Sequence, residues 1–137
     1  MTSIAAWLLT ICGISLVGIG GFFVLARPAL LPEDARFMNS TRREISDAVP
    51  GLGRWLRRVF WVLGGYVAAT GFLVLYVANT GLRAGSAGAL AILALSGVAS
   101  LAWMTTVNFL IRSDFKWALL CLDLVWALGL LLAAAAL

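Results

Sequence analysis

Asp123 is the single charged side chain inside any of the long apolar stretches of this 137-residue chain, and chemistry is sought there first. It lies about seven residues, or about 10 Å of helix, into the last stretch. In a bilayer, an ionisable group at that depth costs several kcal/mol unless it is paired, neutralised or wetted. Tyr66 lies at a matching depth in the second stretch, and Asn108 near the inner end of the third. Asp123, Tyr66 and Asn108, with Arg58 or Arg112 beside them, are therefore expected to form one buried polar cluster. Two uses of it stand open: an interhelical hydrogen-bond clamp, or a protonatable site for a ligand. A carboxylate without a second one favours the clamp.

Other chemistry is short of residues. The chain has no His, which removes the commonest general base and metal ligand. Cys12 and Cys121 are placed at different depths, which argues against a disulfide, and no C-x-x-C pair exists for thiol redox work. Ser/His/Asp, H-E-x-x-H and phosphate-loop patterns are absent. No metal and no cofactor are expected, and the balance is against an enzyme. The small multidrug exporters are also short four-helix chains, but they carry a Glu in the first helix, and the first apolar stretch here has no acid.

The elements that must position these residues are plain from hydropathy. Hydrophobic residues make up 63% of the chain, charged residues 12%, and mean hydropathy is +1.03, which is a membrane composition. Apolar stretches cover residues 4–26, 59–78, 87–111 and 117–137, each long enough to cross about 30 Å of hydrocarbon once as a helix. The first is expected to remain as a span and not to be a cleaved signal, since no basic residue precedes Arg27 and no A-x-A site follows. The fold class is all-α: one domain over 1–137, an integral membrane four-helix bundle. Arg27, Arg36, Arg42, Arg43, Arg54, Arg57 and Arg58 lie between the first two spans, and Arg112 and Lys116 between the last two. Arg83 stands alone on the other side. The asymmetry puts both basic loops in the cytoplasm and both termini outside. The net charge of +4 follows from this topology and carries no nucleic-acid signal.

The segment 27–58 is the one stretch with room for extramembrane structure. Pro32, followed by Glu33 and Asp34, reads as a first helical turn, and Thr41 with Glu44 reads as a capping box that Pro50-Gly51 terminates. Phe37, Met38, Ile45 and Val49 give a thin apolar face. A short interfacial helix is expected there, with Arg42, Arg43, Arg57 and Arg58 against inner-leaflet headgroups. Small residues recur in the spans, including Gly64 with Ala68, Gly65 with Ala69, and Ser96 with Ser100. They suit close helix packing within the bundle or against another subunit. Trp7, Trp55, Trp61 and Trp117 sit where indoles anchor at an interface, and Trp103 and Trp126 lie deeper. Ser113 and Asp114 suit the start of the last helix, and Arg112 the end of the third.

Three segments carry a resemblance: Leu31-Pro32-Glu33-Asp34-Ala35-Arg36-Phe37-Met38, Gly64-Gly65-Tyr66, and Asn108-Phe109-Leu110-Ile111-Arg112-Ser113-Asp114-Phe115. With them the chain resembles a group of small bacterial membrane proteins with four predicted helices and no assigned activity. The resemblance implies a bacterial inner-membrane setting and a single domain, and no mechanism. The functional expectation is a non-enzymatic accessory or assembly subunit of a larger inner-membrane complex. Its partners would be the lipid bilayer and other membrane subunits or further copies of itself. The alternative is a small homo-oligomeric transporter or lipophilic-ligand binder using Asp123.

Overall fold

A chain this apolar has to satisfy its backbone polar groups within each segment, and helices do so locally. A computed structural model describes residues 2–137. Its residues are 79% helical with none in a strand, which bears out the all-α class. In order, α1 covers Thr2–Leu25, α2 Pro32–Phe37, α3 Arg42–Ala48, α4 Leu52–Asn79, α5 Ala87–Gly97, a π-helical turn Val98–Ala102, α6 Trp103–Leu110 and α7 Lys116–Ala134. The helices α1, α4 and α7, and the continuous segment Ala87–Leu110, are long and apolar enough to cross a membrane.

Two features go beyond the expected apolar spans. Helix α4 contains the stretch 59–78 but begins at Leu52, so Arg54, Arg57 and Arg58 lie in its first turns. Hydropathy marks where apolar side chains begin, whereas backbone hydrogen bonding starts wherever good helix formers allow it, and Arg is one of them. The third span is interrupted by the π turn directly after Gly97. There the indole of Trp126 occupies the space a side chain on Gly97 would need, so the break coincides with a bulky group pressed onto the helix.

Helix α1 is the axis of the bundle. It packs along α4 on one side and α7 on the other, and the α5–α6 rod packs against α7. Buried Ala5, Leu9, Cys12 and Leu16 on α1 join Val74 and Ala78 of α4, Leu93 and Leu101 of the third span, and Leu119, Trp126 and Ala133 of α7 in one core. The α1–α4 contact is backbone against backbone. A Cβ at Gly20 would lie 2.5 Å from both the Ala68 nitrogen and the Gly64 carbonyl oxygen. One at Gly64 would lie 2.7 Å from the Gly20 oxygen, and one at Gly71 would lie 2.7 Å from the Gly13 oxygen. Gly13 and Gly20 are seven residues apart, as are Gly64 and Gly71, so the antiparallel helices meet at the same two levels. A seven-residue repeat gives the left-handed crossing that keeps such a seam in register. Thr10 and Asn79 close one end of it, with the Asn79 amide donating to the Thr10 hydroxyl at 2.8 Å.

The small residues therefore divide into two groups. Gly64 and Ala68 face α1, whereas Gly65 and Gly18 have nothing within 4 Å of an added Cβ. Ser96 and Ser100 do not join helices; the Ser100 hydroxyl donates to the Ser96 carbonyl of its own helix at 2.6 Å.

Substitutions should separate the two groups. Gly20→Ala and Gly64→Ala should each destabilise by about 1–3 kcal/mol, because the methyl meets backbone that cannot yield. Gly65→Ala and Gly18→Ala should be neutral or stabilise by up to about 1 kcal/mol through helix propensity. Unfolding titrations in mixed detergent micelles check this; equal effects at Gly20 and Gly18 would show that the seam is looser than described.

Candidate functional site: a polar junction at the loop end of the bundle

The most connected polar group of the fold is built by α2 and by the turn between α6 and α7. Pro32 opens α2 with its fixed φ and no N–H to satisfy, as expected. The Asp34 carboxylate reaches back to accept from the Leu31 N–H at 2.8 Å, and Leu31 has no side-chain oxygen to reciprocate. The same carboxylate pairs with Arg27 at 3.2 Å. The Arg27 side chain is 7% exposed, and its guanidinium lies 3.5 Å from the centre of the Phe60 ring of α4. Burial pulls the Arg27 pKa below its ordinary value while Asp34 pushes it back up; a guanidinium so placed stays charged. These contacts tie the start of the connecting segment to the end of the α1–α4 pair.

Both helix ends that face the junction close with a left-handed residue. Asn39 (φ 50°) follows α2, and the Ser40 and Asn39 N–H groups donate to the Ala35 and Arg36 carbonyls. Arg112 (φ 54°) follows α6, and the Ser113 and Arg112 N–H groups donate to the Asn108 and Phe109 carbonyls in the same pattern. The second closure aims Ser113 at α2. Its hydroxyl donates to Glu33 at 3.1 Å and accepts from the Phe115 N–H at 3.1 Å, with Glu33 3% and Ser113 1% exposed. Asp114 receives both of its bonds, each 3.1 Å, from Nη2 of Arg36.

Ser113 and Asp114 do not cap α7, then; the helix starts at Lys116 after an uncapped Phe115. They hold α2. Sequence reading assigned Glu33 and Asp34 to the helix dipole and could not see this junction, since Glu33 and Ser113 are 80 residues apart. One signal was present: the first and third segments that carry the resemblance are the two that meet. The junction has no means of nucleophilic catalysis, because the one hydroxyl beside a carboxylate is sealed from solvent. Beside it lies a cleft of about 440 Å³ lined by Arg36, Phe37, Leu110, Ile111 and Arg112.

The residues expected to cluster around Asp123 are not brought together. Tyr66 is 71% exposed on the outward side of α4 and shares a shallow groove with Arg58. The Asn108 amide donates to the Met104 carbonyl of its own helix at 2.8 Å. Asp123 is half-buried beside the α1–α7 contact and has no hydrogen bond or ion pair among the described residues. Matched depth does not give a matched face. Depth also misled for the cysteines: the Cys12 thiol approaches the Leu122 carbonyl at 3.8 Å, next to Cys121. Both cysteines are free, Cys12 buried and Cys121 exposed, so direction and not level separates them.

Of the basic residues expected to meet lipid, Arg42 donates to the Leu30 carbonyl at 2.8 Å, and Arg43 lies 3.9 Å from exposed Asp47. Arg57 and Arg58 are exposed on α4. The expected capping box is present, with Glu44 accepting from the Thr41 N–H at 2.7 Å and Thr41 accepting from the Glu44 N–H at 3.2 Å. Of the expected apolar face, Ile45 is buried, while Phe37, Met38 and Val49 are exposed. Trp126 is buried; Trp103, like Trp7, Trp55, Trp61 and Trp117, is exposed.

Two outcomes follow. Removing either partner of the Glu33–Ser113 bond should cost about 1–3 kcal/mol, and the two substitutions to Ala should be non-additive. Protease sensitivity of residues 31–38 reads this locally, and strict additivity would show that the bond contributes nothing. The hydrogen bonds from Thr41 hold the Glu44 pKa below the usual carboxylate range. The folded value is thus below the unfolded one. The cap stabilises α3 above the unfolded pKa and is lost as pH falls through the folded value. Amide protection factors in α3, corrected for the pH dependence of intrinsic exchange, should fall between about pH 6 and about pH 3, and Thr41→Ala should lower them at both.

Comparison with known protein families, with curated proteins and with solved structures finds no match for this chain.

Proposed function

We propose that this chain is a non-enzymatic accessory or assembly subunit of a larger bacterial inner-membrane complex, inserted four times with both termini outside. The observation that carries the proposal is the outward face of α4. Arg58, Val62, Gly65, Ala69, Phe72 and Tyr76 follow one another at alternating steps of four and three, and all six are exposed. This is the spacing of a second helix-packing seam, with a glycine and an alanine at its middle, where backbones of two membrane helices come closest. On a neighbouring face of the same helix, about 100° round its axis, Gly64 and Gly71 are already engaged with α1. Lipid alone makes no demand for such a repeat.

Asp123 supports the same reading. A carboxylate in an apolar span calls for a polar partner, and no described residue provides one. A neighbouring subunit would. The transporter alternative needs Tyr66 and Asn108 to orient Asp123, and their side chains are engaged or turned elsewhere.

The test is gentle extraction from the native membrane followed by sizing and identification of the chains that co-migrate. Wild type should travel with other membrane chains. Gly65→Leu should release it without destabilising its own fold, and Asp123→Asn should weaken the association. Migration of the wild type alone would sink the proposal. A transport or ligand-binding defect confined to Asp123→Asn would favour the alternative. Labelling from outside of a cysteine at position 42, but not of one at position 2, would reverse the orientation.

A further inference from the structure

At the loop end Arg36 and Arg112 line one cleft together with Phe37, Leu110 and Ile111. Leu110 is the last residue of the third span, 70% exposed, and Phe37 is 64% exposed. Cationic and apolar groups thus share a cavity of about 440 Å³ at the level where an apolar helix ends. That volume falls within the range of sites that hold small ligands, roughly 300–1,000 Å³.

The charge arrangement is specific. Asp114 takes both of its bonds from Nη2 of Arg36, so Nη1 and Nε have no partner among the described residues. Arg112 has no ion pair among the described residues. Two guanidinium groups against one carboxylate leave the cleft with a net positive charge and unused N–H groups. Planar guanidinium donors match phosphate oxygens, and two of them can grip one phosphate. The left-handed backbone of Arg112 is also informative. Gly or Asn would close α6 at lower steric cost, yet the position carries a cation on the wall of this cleft.

We infer that the Arg36–Arg112 cleft holds the phosphodiester headgroup of an anionic phospholipid, with the lipid chains running along Leu110 and Phe37. The inference rests on the membrane setting proposed above. It differs from general attraction of a basic loop to a charged surface, because the site has two guanidinium groups beside exposed apolar side chains. The bound headgroup would bridge α2 and the α6–α7 turn beside the Glu33–Ser113 bond, and would brace the junction.

The test uses the full chain in nanodiscs of phosphatidylglycerol and phosphatidylcholine, with retained lipids counted by native mass spectrometry. Wild type should retain phosphatidylglycerol preferentially. Arg36→Gln and Arg112→Gly should each lower that retention about tenfold, the scale of losing one charge-assisted contact. Arg112→Gly suits the left-handed position and should fold at least as well as wild type, so a loss there is not a folding defect. Arg83→Gln, at the opposite end, should leave retention unchanged. Unaltered retention in both cleft variants would overturn the inference, as would equal loss in Arg83→Gln. Displacement of the lipid by glycerol phosphate at about 10 mM would assign the cleft to soluble phosphate esters and overturn the lipid. Vesicle flotation separates the two levels: a wild type that does not float overturns the membrane setting itself, whereas one that floats and fails the retention test overturns the cleft alone.

Discussion

Everything in this fold depends on how closely α1 and α4 approach. At the levels of Gly13 with Gly71 and Gly20 with Gly64, carbonyl oxygens lie where side chains would be on other residues. Dispersion between helices in an apolar medium is weak per atom pair and falls steeply with separation, so close backbone approach is what gives such a pair its stability. Once the two helices are locked, α1 has one face left, and Leu9, Cys12 and Leu16 on it complete the core with α7. Helix α7 in turn receives the third span, where Gly97 admits the Trp126 ring. Gly13, Gly20, Gly64, Gly71 and Gly97 thus set how closely one helix seats on the next.

The two ends of the α1–α4 pair are finished differently. At the end carrying the termini, the Asn79 side-chain amide donates to Thr10, and Arg83 Nε donates to the Asn79 side-chain oxygen Oδ1 at 3.3 Å. At the other end Arg27 is buried against Phe60 and Phe23 and paired with Asp34. That contact continues through α2 to Ser113 and Asp114 in the α6–α7 turn. The connecting segment is therefore a strap from the first helical pair to the last one. Its buried link, Glu33 to Ser113, matters more to stability than the exposed Arg36–Asp114 pair, since surface ion pairs contribute about 1 kcal/mol or less.

What the sequence made legible is what depends on local chemistry. Four apolar lengths specify four long helices, Thr41 with Glu44 specifies a cap, and Pro32 specifies the start of α2; all three are present. What it hid depends on which way a side chain turns once helices have met. Tyr66 and Asp123 have similar depth and different faces. Gly64 and Gly65 are neighbours with the same composition around them, yet one touches α1 and the other touches nothing. The π turn is invisible for the same reason, because its local residues Val98–Ala102 are ordinary helix formers and its occasion is Trp126 on another helix. The Arg112 conformation was likewise out of reach, since a residue that pays a steric cost in the left-handed region is not chosen by local preference.

Helix α4 carries a seven-residue repeat on two of its faces. A single helix whose two sides both follow a seven-residue repeat can be satisfied on one side by its own chain and still present a regular surface on the other. The inner repeat, Gly64–Gly71–Ala78, is spent on α1. The outer repeat through Gly65 and Phe72 runs at the same levels one residue further along the chain, so a helix docked there would cross α4 with the same hand as α1 does. Small residues in the middle and aromatic residues towards the ends, Trp55 and Tyr76, would set both the approach and the limits of that contact. A helix with no second partner could hold any apolar residue at Gly65, and would gain helix stability from most of them. Glycine at this open position gives up that helix stability and leaves the middle of the outer face free of side chains, where backbone can be approached closely.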